Sequence, residues 1–201
     1  MNDYNILAVV LAGGKSKRFG EDKNLAKLGS ISLIEHTIYK IREKFKKILI
    51  IANNDLKVEK FKDIEIIPDH IKGNLGPLVG VLTAMKWAKH SKENYKWIAT
   101  FPSDTPFFDS SIIEKYEKRI IKNDSPLYFV RSDDKRHNIF GLWSLDLLDI
   151  LEKDIVKNNF RKVEDWANKI GVKTVDIEPR DFDPFFNINT KEDLKKAKEN
   201  L

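Results

Sequence analysis

The chain has 201 residues, 41% of them hydrophobic, which suits one α/β domain with a substantial core. Its 36 Lys and Arg are interspersed with 31 Asp and Glu, giving a formal charge of +5. That mixture points to a solvated, ion-pair-rich surface and away from a nucleic-acid-binding face. The absence of cysteine excludes disulfides, iron–sulfur clusters and thiolate zinc sites. No apolar run approaches the roughly 20 residues of a membrane span. The first apolar stretch begins too early for a secretory signal, so the chain is read as cytoplasmic and without membrane or nucleic-acid partners.

Asn5–Leu11 is a continuous apolar run and reads as a strand buried on both faces. Ser32, with Glu35 three residues on, has the spacing of a capping box, and Leu33, Ile34, Ile38, Ile41 and Phe45 follow at helical intervals. Strands are expected at Ile48–Ile51 and at Ile64–Ile67, the latter stopped by Pro68. A helix is expected just after Gly76-Pro77, followed by a strand at Trp97–Phe101. Ser111 and Glu114 are expected to cap a further helix. Leu127–Val130, Phe140–Trp143 and Val172–Ile177 are strand candidates, with helices near Asp146–Leu151 and Phe160–Ile170 between them. Thr190 and Asp193 are placed to cap a last helix. This alternation predicts a single-domain α/β fold, a mostly parallel, Rossmann-like sheet with helices on both faces. A nucleotide-binding part is expected over roughly 1–108 and an acceptor-side part over roughly 109–201, with no repeat or linker to separate them. Ligands of such sheets sit at the strands' carboxyl ends, so the loops after Leu11, Ile51, Ile67 and Phe101 carry the interest.

The first of these loops, Leu11-Ala-Gly-Gly-Lys-Ser-Lys-Arg-Phe-Gly-Glu-Asp-Lys23, is a candidate phosphate cradle. Gly13 and Gly14 let the backbone turn and approach a ligand without a side-chain clash, and successive N–H groups there can form an anion nest. Lys15, Lys17, Arg18 and Lys23 place four cations within nine residues. The loop is neither a Walker motif nor a dinucleotide fingerprint, since Glu21-Asp22 stands where Lys-Ser/Thr is required and no G-x-G-x-x-G can be written.

The string L-A-G-G-x-S-x-R-F-G-x-x-K resembles the signature of nucleotidyltransferases related to the molybdenum cofactor guanylyltransferase. Three more pieces follow in that family's order. Pro68-Asp69 and the Gly76-Pro77-Leu78-Val79-Gly80 turn resemble its nucleoside-contacting segments. Phe101-Pro-Ser-Asp-Thr-Pro106 resembles its metal-binding loop, which maps Asp104 onto the metal ligand. Phe186-Asn187-Ile188-Asn189-Thr190 resembles the element beside acceptor and metal. The four span nearly the whole chain. Where the family often has His-Pro, this chain has His137-Asn138, and the asparagine after the second strand can be either Asn53 or Asn54.

The resemblance implies transfer of GMP from GTP to molybdopterin with release of pyrophosphate and with Mg²⁺ as cofactor. It also implies transient contact with other proteins of cofactor biosynthesis or with molybdoenzymes. The expected catalytic residues are Arg18, Lys23 and Asp104, the last also holding the metal. The expected nucleotide contacts are Leu11, Ala12, Gly13, Gly14, Lys23, Asn53, Asp69, Gly76, Pro77, Leu78 and Asp104, and the expected acceptor contacts are His137, Asn187 and Asn189. Three alternatives remain open from the sequence. One is CTP or GTP transfer to a sugar phosphate or to a cobamide or deazaflavin precursor; another is a nucleotide-binding module without chemistry. The third is an RNA-binding surface, which the dispersed lysines disfavour.

Overall fold

The structure is a computed structural model and describes residues 4–14, 19, 20, 22–56, 58, 61, 63–73 and 75–201. In chain order its elements are β1 (Ile6–Leu11), a 3-10 turn (Lys23–Leu25), β2 (Lys27–Leu28), β3 (Ile31–Ser32), α1 (Leu33–Ile41), β4 (Ile48–Ile51) and β5 (Ile64–Ile67). Then come α2 (Pro77–His90), β6 (Trp97–Pro102), α3 (Ile112–Lys122), β7 (Leu127–Ser132) and β8 (Lys135–Ser144). After a second 3-10 turn (Leu145–Leu147), α4 (Leu148–Val156), α5 (Val163–Ile170), β9 (Lys173–Asp176) and α6 (Lys191–Lys198) complete the chain.

Seven strands form one sheet in the order β5-β4-β1-β6-β8-β7-β9, and β2 pairs with β3 in a separate hairpin. All neighbours in the large sheet are parallel except β8, which is antiparallel to both β6 and β7. The mostly parallel sheet expected from the sequence is therefore present, with one reversed strand inside it. From β1 the chain steps outward to β4 and β5, then returns across β1 to lay down β6 on its other side. The crevice where strand order reverses thus opens at the carboxyl ends of β1 and β6, where α/β sheets bind ligands.

The unbroken apolar run of β1 follows from its central place. Ala8 and Val10 pack with Ile34 and Ile38 of α1 and Ile112 and Tyr116 of α3 on one face. On the other face Leu7 and Val9 join Leu82 and Met85 of α2 and Leu151 of α4. Each of the Val, Leu, Ile and Met side chains among these contributes about 1.5–3 kcal/mol on burial. A third cluster is small and important for the site. Phe19, Leu28 and Leu33 pack with Ile188 and Ala197, so the hairpin and α6 bring the far end of the chain against the first loop.

Helix starts mostly follow the sequence signals. Glu35 accepts the Ser32 backbone N–H at 2.6 Å, and Thr190 with Asp193 forms a reciprocal capping box on α6. Pro77 occupies the first turn of α2 behind Gly76, whose φ of 92° favours glycine. The expectation for α3 needs correction: Ser111 stands at the N-cap position without a side-chain cap bond, and the Asp109 carboxylate instead accepts the Ser111 N–H at 2.8 Å. Ser111 is itself in the right-handed helical region, a backbone geometry unlike the extended one of a hydroxyl N-cap. Among the described residues, no helix is long and apolar enough to cross a membrane.

Strand β8 is longer than the expected Phe140–Trp143 and carries an irregularity. Phe129 of β7 faces Gly141, yet its neighbour Val130 faces His137, so the residues between are thrown out of register. Asn138 lies in that stretch and accepts from Arg136 Nε at 2.8 Å. Bulges re-aim side chains next to functional sites, and the next residue of this stretch, Ile139, lines the crevice.

Candidate active site

A cavity of about 420 Å³ occupies the crevice at the carboxyl ends of β1, β4 and β6. Leu11, Gly13 and Gly14 line it from the first strand and loop, Ile51 and Asp69 from β4 and the loop after β5. Gly76, Pro77 and Gly80 line it from the start of α2, and Pro102, Ser103 and Asp104 from the end of β6. Lys23, Ile139 and Asn187 complete the lining. Its size lies within the range of small-molecule sites. A larger concavity of about 930 Å³ lies at the other end of the sheet, near Trp97 and the C-terminal ends of α2 and α3. It holds no glycine turn, and the Lys89–Asp149 contact in it is 3.8 Å long and largely exposed, so chemistry rather than volume selects the smaller one.

At the cavity floor the Lys23 ammonium donates to the Asp104 carboxylate and, at 3.0 Å, to the Asn189 amide oxygen. The Lys23 and Asp104 side chains are 15% and 12% exposed, so the pair is largely withdrawn from water while facing the cavity. Asp104 sits just past β6, where the Asp104 carbonyl accepts the Ile188 N–H at 2.9 Å and Thr37 Oγ1 donates to the Pro102 carbonyl at 3.1 Å. Cation, carboxylate and amide therefore converge from three distant stretches of chain. Gly14, with φ of 135°, adopts a backbone that L side chains rarely reach, and a Cβ on Gly13 or Gly14 would meet nothing within 4 Å. The turn leaves room for a ligand.

At the β4 and β5 wall of the cavity Asn53 and Asp69 bond reciprocally. Asn53 Nδ2 donates to Asp69 Oδ2 at 2.8 Å, and the Asp69 N–H donates to Asn53 Oδ1 at 3.1 Å. Asn54 instead reaches Asp22 at 3.4 Å. Asn53 is thus the one coupled to the cavity wall.

The structure places the expected site residues differently with respect to the cavity. Leu78 is fully buried in the core beneath α2, because its position in the helix turns it toward the sheet rather than the cavity. The Ala12 side chain packs in the opposite core layer, while the Ala12 carbonyl accepts from Asn24 at 3.1 Å. His137 stacks on Phe185, ring centroids 4.1 Å apart, away from the residues that line the cavity, because the β8 irregularity turns it toward the α1 and α3 side. Burial holds its pKa down at about 4, with Asp183 raising and Lys135 lowering it. Asn187 lines the cavity, and Asn189 bonds Lys23. Arg18, like Lys15 and Lys17, lies outside the described residues. Sequence reasoning missed Asn24, Ser103, Gly80 and Ile139. Asn24 and Ser103 adjoin recognised residues, and Gly80 is the last glycine of the G-P-L-V-G turn, whereas nothing local marks Ile139.

The donors around Asp104 are suited to a hard divalent cation. The Asp104 carboxylate and the Asn189 amide oxygen, which share the Lys23 ammonium, are hard oxygen ligands, and Mg²⁺ commonly takes one or two protein carboxylates together with phosphate oxygens and waters.

A glycine turn and a lysine–aspartate pair, sharing one crevice at the switch point of a mostly parallel sheet, define an α/β protein of the nucleotidyltransferase class. The family model described as MobA-like NTP transferase domain matches residues 8–170, and the chain belongs to that family. A molybdenum cofactor guanylyltransferase of Rhizobium leguminosarum is 34% identical over 197 residues, covering 96% of this chain and 91% of the relative. One from Nitrobacter hamburgensis is 27% identical over 190 residues, covering 94% and 91%. The crystal structure of molybdopterin-guanine dinucleotide biosynthesis protein A from Archaeoglobus fulgidus matches with a TM-score of 0.76 at 25% identity, covering 96% of this chain and 97% of that one.

Proposed function

We propose that the chain transfers GMP from GTP to the terminal phosphate of molybdopterin, in the cytoplasm and with Mg²⁺, forming the guanine dinucleotide cofactor. The observation that carries the reading is the meeting of Lys23, Asp104 and Asn189 beside the Gly13–Gly14 turn. Near-full-length similarity to proteins named for this reaction supports the choice of substrates.

The transfer is an in-line displacement. An oxygen of the acceptor phosphate forms a bond to the α-phosphorus of GTP, and the bond from that phosphorus to the bridging oxygen breaks, releasing pyrophosphate. A phosphate monoester, with its second pKa near about 6, is already largely ionised at neutral pH, so no side chain is needed to take a proton from it. What the protein contributes is position and charge. Gly13 and Gly14 admit the phosphates to the backbone N–H groups. Lys23 neutralises the triphosphate nearest the reacting phosphorus, joined by Arg18. Asp69, held by Asn53, orients the nucleoside, Gly76 and Pro77 border it, and Asn187 stands on the acceptor side. Asp104 with Asn189 would hold the Mg²⁺, which supplies further neutralisation of the triphosphate.

Pyrophosphate release from each of the four NTPs, with and without a molybdopterin-loaded acceptor preparation, tests the reading. Release from GTP only when molybdopterin is present is the expected result. Release from CTP instead replaces the base assignment, and release from none, under conditions where an established guanylyltransferase works, overturns the enzyme reading.

A further inference from the structure

One buried polar side chain near the cavity is not itself at its surface. Asn24 is 2% exposed and follows Lys23 in the 3-10 turn. Its Nδ2 donates to the Ala12 carbonyl at 3.1 Å and to Asp22 Oδ1 at 2.9 Å, and its Oδ1 accepts from Ser103 Oγ at 2.6 Å. The orientation of the amide is dictated by its partners. A backbone carbonyl and a carboxylate can only accept, so the NH₂ must face them, which leaves the oxygen for the serine hydroxyl. The three partners are not equivalent in the chain: Ala12 immediately precedes Gly13, Asp22 precedes Lys23, and Ser103 precedes Asp104.

We propose that Asn24 is a positioning residue for nucleotidyl transfer, a clamp that sets the glycine turn, the Lys23 ammonium and the Asp104 carboxylate at fixed distances from one another. The inference rests on the reaction proposed above. Its physical basis is that the phosphate cradle and the carboxylate belong to different strands, β1 and β6. Ladder bonds stop at Leu11 and Pro102, the last paired residues. Beyond that point the backbone bonds of the two loops lead to other partners, Ala12 N–H to the Ile51 carbonyl and the Asp104 carbonyl to Ile188 N–H, and Asn24 spans from one loop to the other with one amide. Phosphoryl-group chemistry is sensitive to such spacing, and a misplacement of about 1 Å can cost on the order of 10²-fold in rate.

Three variants test the clamp. Asn24→Ala removes all three bonds, Ser103→Ala removes only the arm to Asp104, and Asn24→Asp keeps the shape and the serine arm. The last sets a carboxylate against the Ala12 carbonyl and the Asp22 carboxylate. Expected for Asn24→Ala is a fall in kcat of about 10²-fold, with KM for molybdopterin within about twofold of wild type. Adding Ser103→Ala should cause no further comparable fall, since both act on one linkage. For Asn24→Asp the ratio of variant to wild-type kcat should rise as pH is lowered, because protonation returns one donor to the clamp. A residue that merely stabilises the fold lowers the melting temperature, leaves kcat of the folded fraction intact and has no such pH signature. Full kcat in folded Asn24→Ala, or additive losses in the double variant, overturns the proposal. Should the wild type itself fail to turn over GTP with molybdopterin, the reaction assigned above falls. The clamp is then read from Mg²⁺-dependent binding of a fluorescent GTP analogue, which Asn24→Ala should weaken at least about tenfold, and unchanged binding overturns it.

Discussion

Lys23 and Asp104, 81 positions apart, form an ion pair, and the same ammonium reaches Asn189, a further stretch away at the other end of the chain. This contact joins the first loop, the end of β6 and the entry to α6 at one point of the cavity. Replacing Asp104 by Asn keeps the shape and deletes the charge. Turnover should fall by about 10²–10³, while stability changes by about 1–3 kcal/mol as the ammonium loses its partner. Pyrophosphate release and a urea titration on the same sample separate the two effects.

The two asparagines after β4 should behave differently. Asn53→Ala breaks both bonds to Asp69 and frees that carboxylate to rotate, so KM for GTP should rise about tenfold, equivalent to about 1.4 kcal/mol of lost binding. Asn54→Ala removes only a long 3.4 Å contact to Asp22 and should leave both kinetic constants near wild type. Initial-rate kinetics with GTP varied at saturating acceptor decide between them.

Gly80 lies in the first turns of α2 against the cavity. A Cβ there would stand 3.0 Å from Leu11 Cδ2 and 3.7 Å from Asp69 Oδ1. Alanine in a helix is favoured over glycine by about 1 kcal/mol, and the half-buried Leu11 side chain can yield. Gly80→Ala should therefore hold or raise the melting temperature while raising KM for GTP several-fold. A variant that loses stability and keeps KM contradicts this placement of the nucleoside.

His137 governs a pH dependence. Its folded pKa of about 4 lies below the ordinary 6.5 because burial against Phe185 disfavours the charged ring. The unfolded chain therefore binds the proton more readily. This contribution to stability is complete above about 6.5 and is lost as pH falls toward 4. His137→Phe keeps an aromatic partner for Phe185 and should flatten the dependence of the urea midpoint on pH between 4 and 7.

Much of the architecture was legible in local patterns. Ile48–Ile51 and Ile64–Ile67 are bounded as the apolar runs predict, and the capping signals at Ser32 and Thr190 mark α1 and α6. These features depend on neighbouring residues only, so periodicity and hydrogen-bonding chemistry along the chain suffice to read them. Ser111 misled for the same reason: its spacing from Glu114 is that of a cap, but Asp109 reaches the N–H first.

The site was legible as a set of loops and illegible as a geometry. Gly13, Gly14, Lys23, Asp69 and Asp104 stand out because their residue types are costly or purposeful where they occur. That Leu78 turns into the core, that His137 leaves the cavity, and that Asn53 rather than Asn54 meets Asp69 depend on helix phase, on the β8 irregularity and on which strands lie side by side. Strand pairing is settled by packing across the whole sheet, and no stretch of chain encodes it alone. The residue types thus announced an α/β nucleotidyltransferase, whereas long-range packing put Asn24 between the ends of β1 and β6 and brought Lys23 and Asp104 into one crevice.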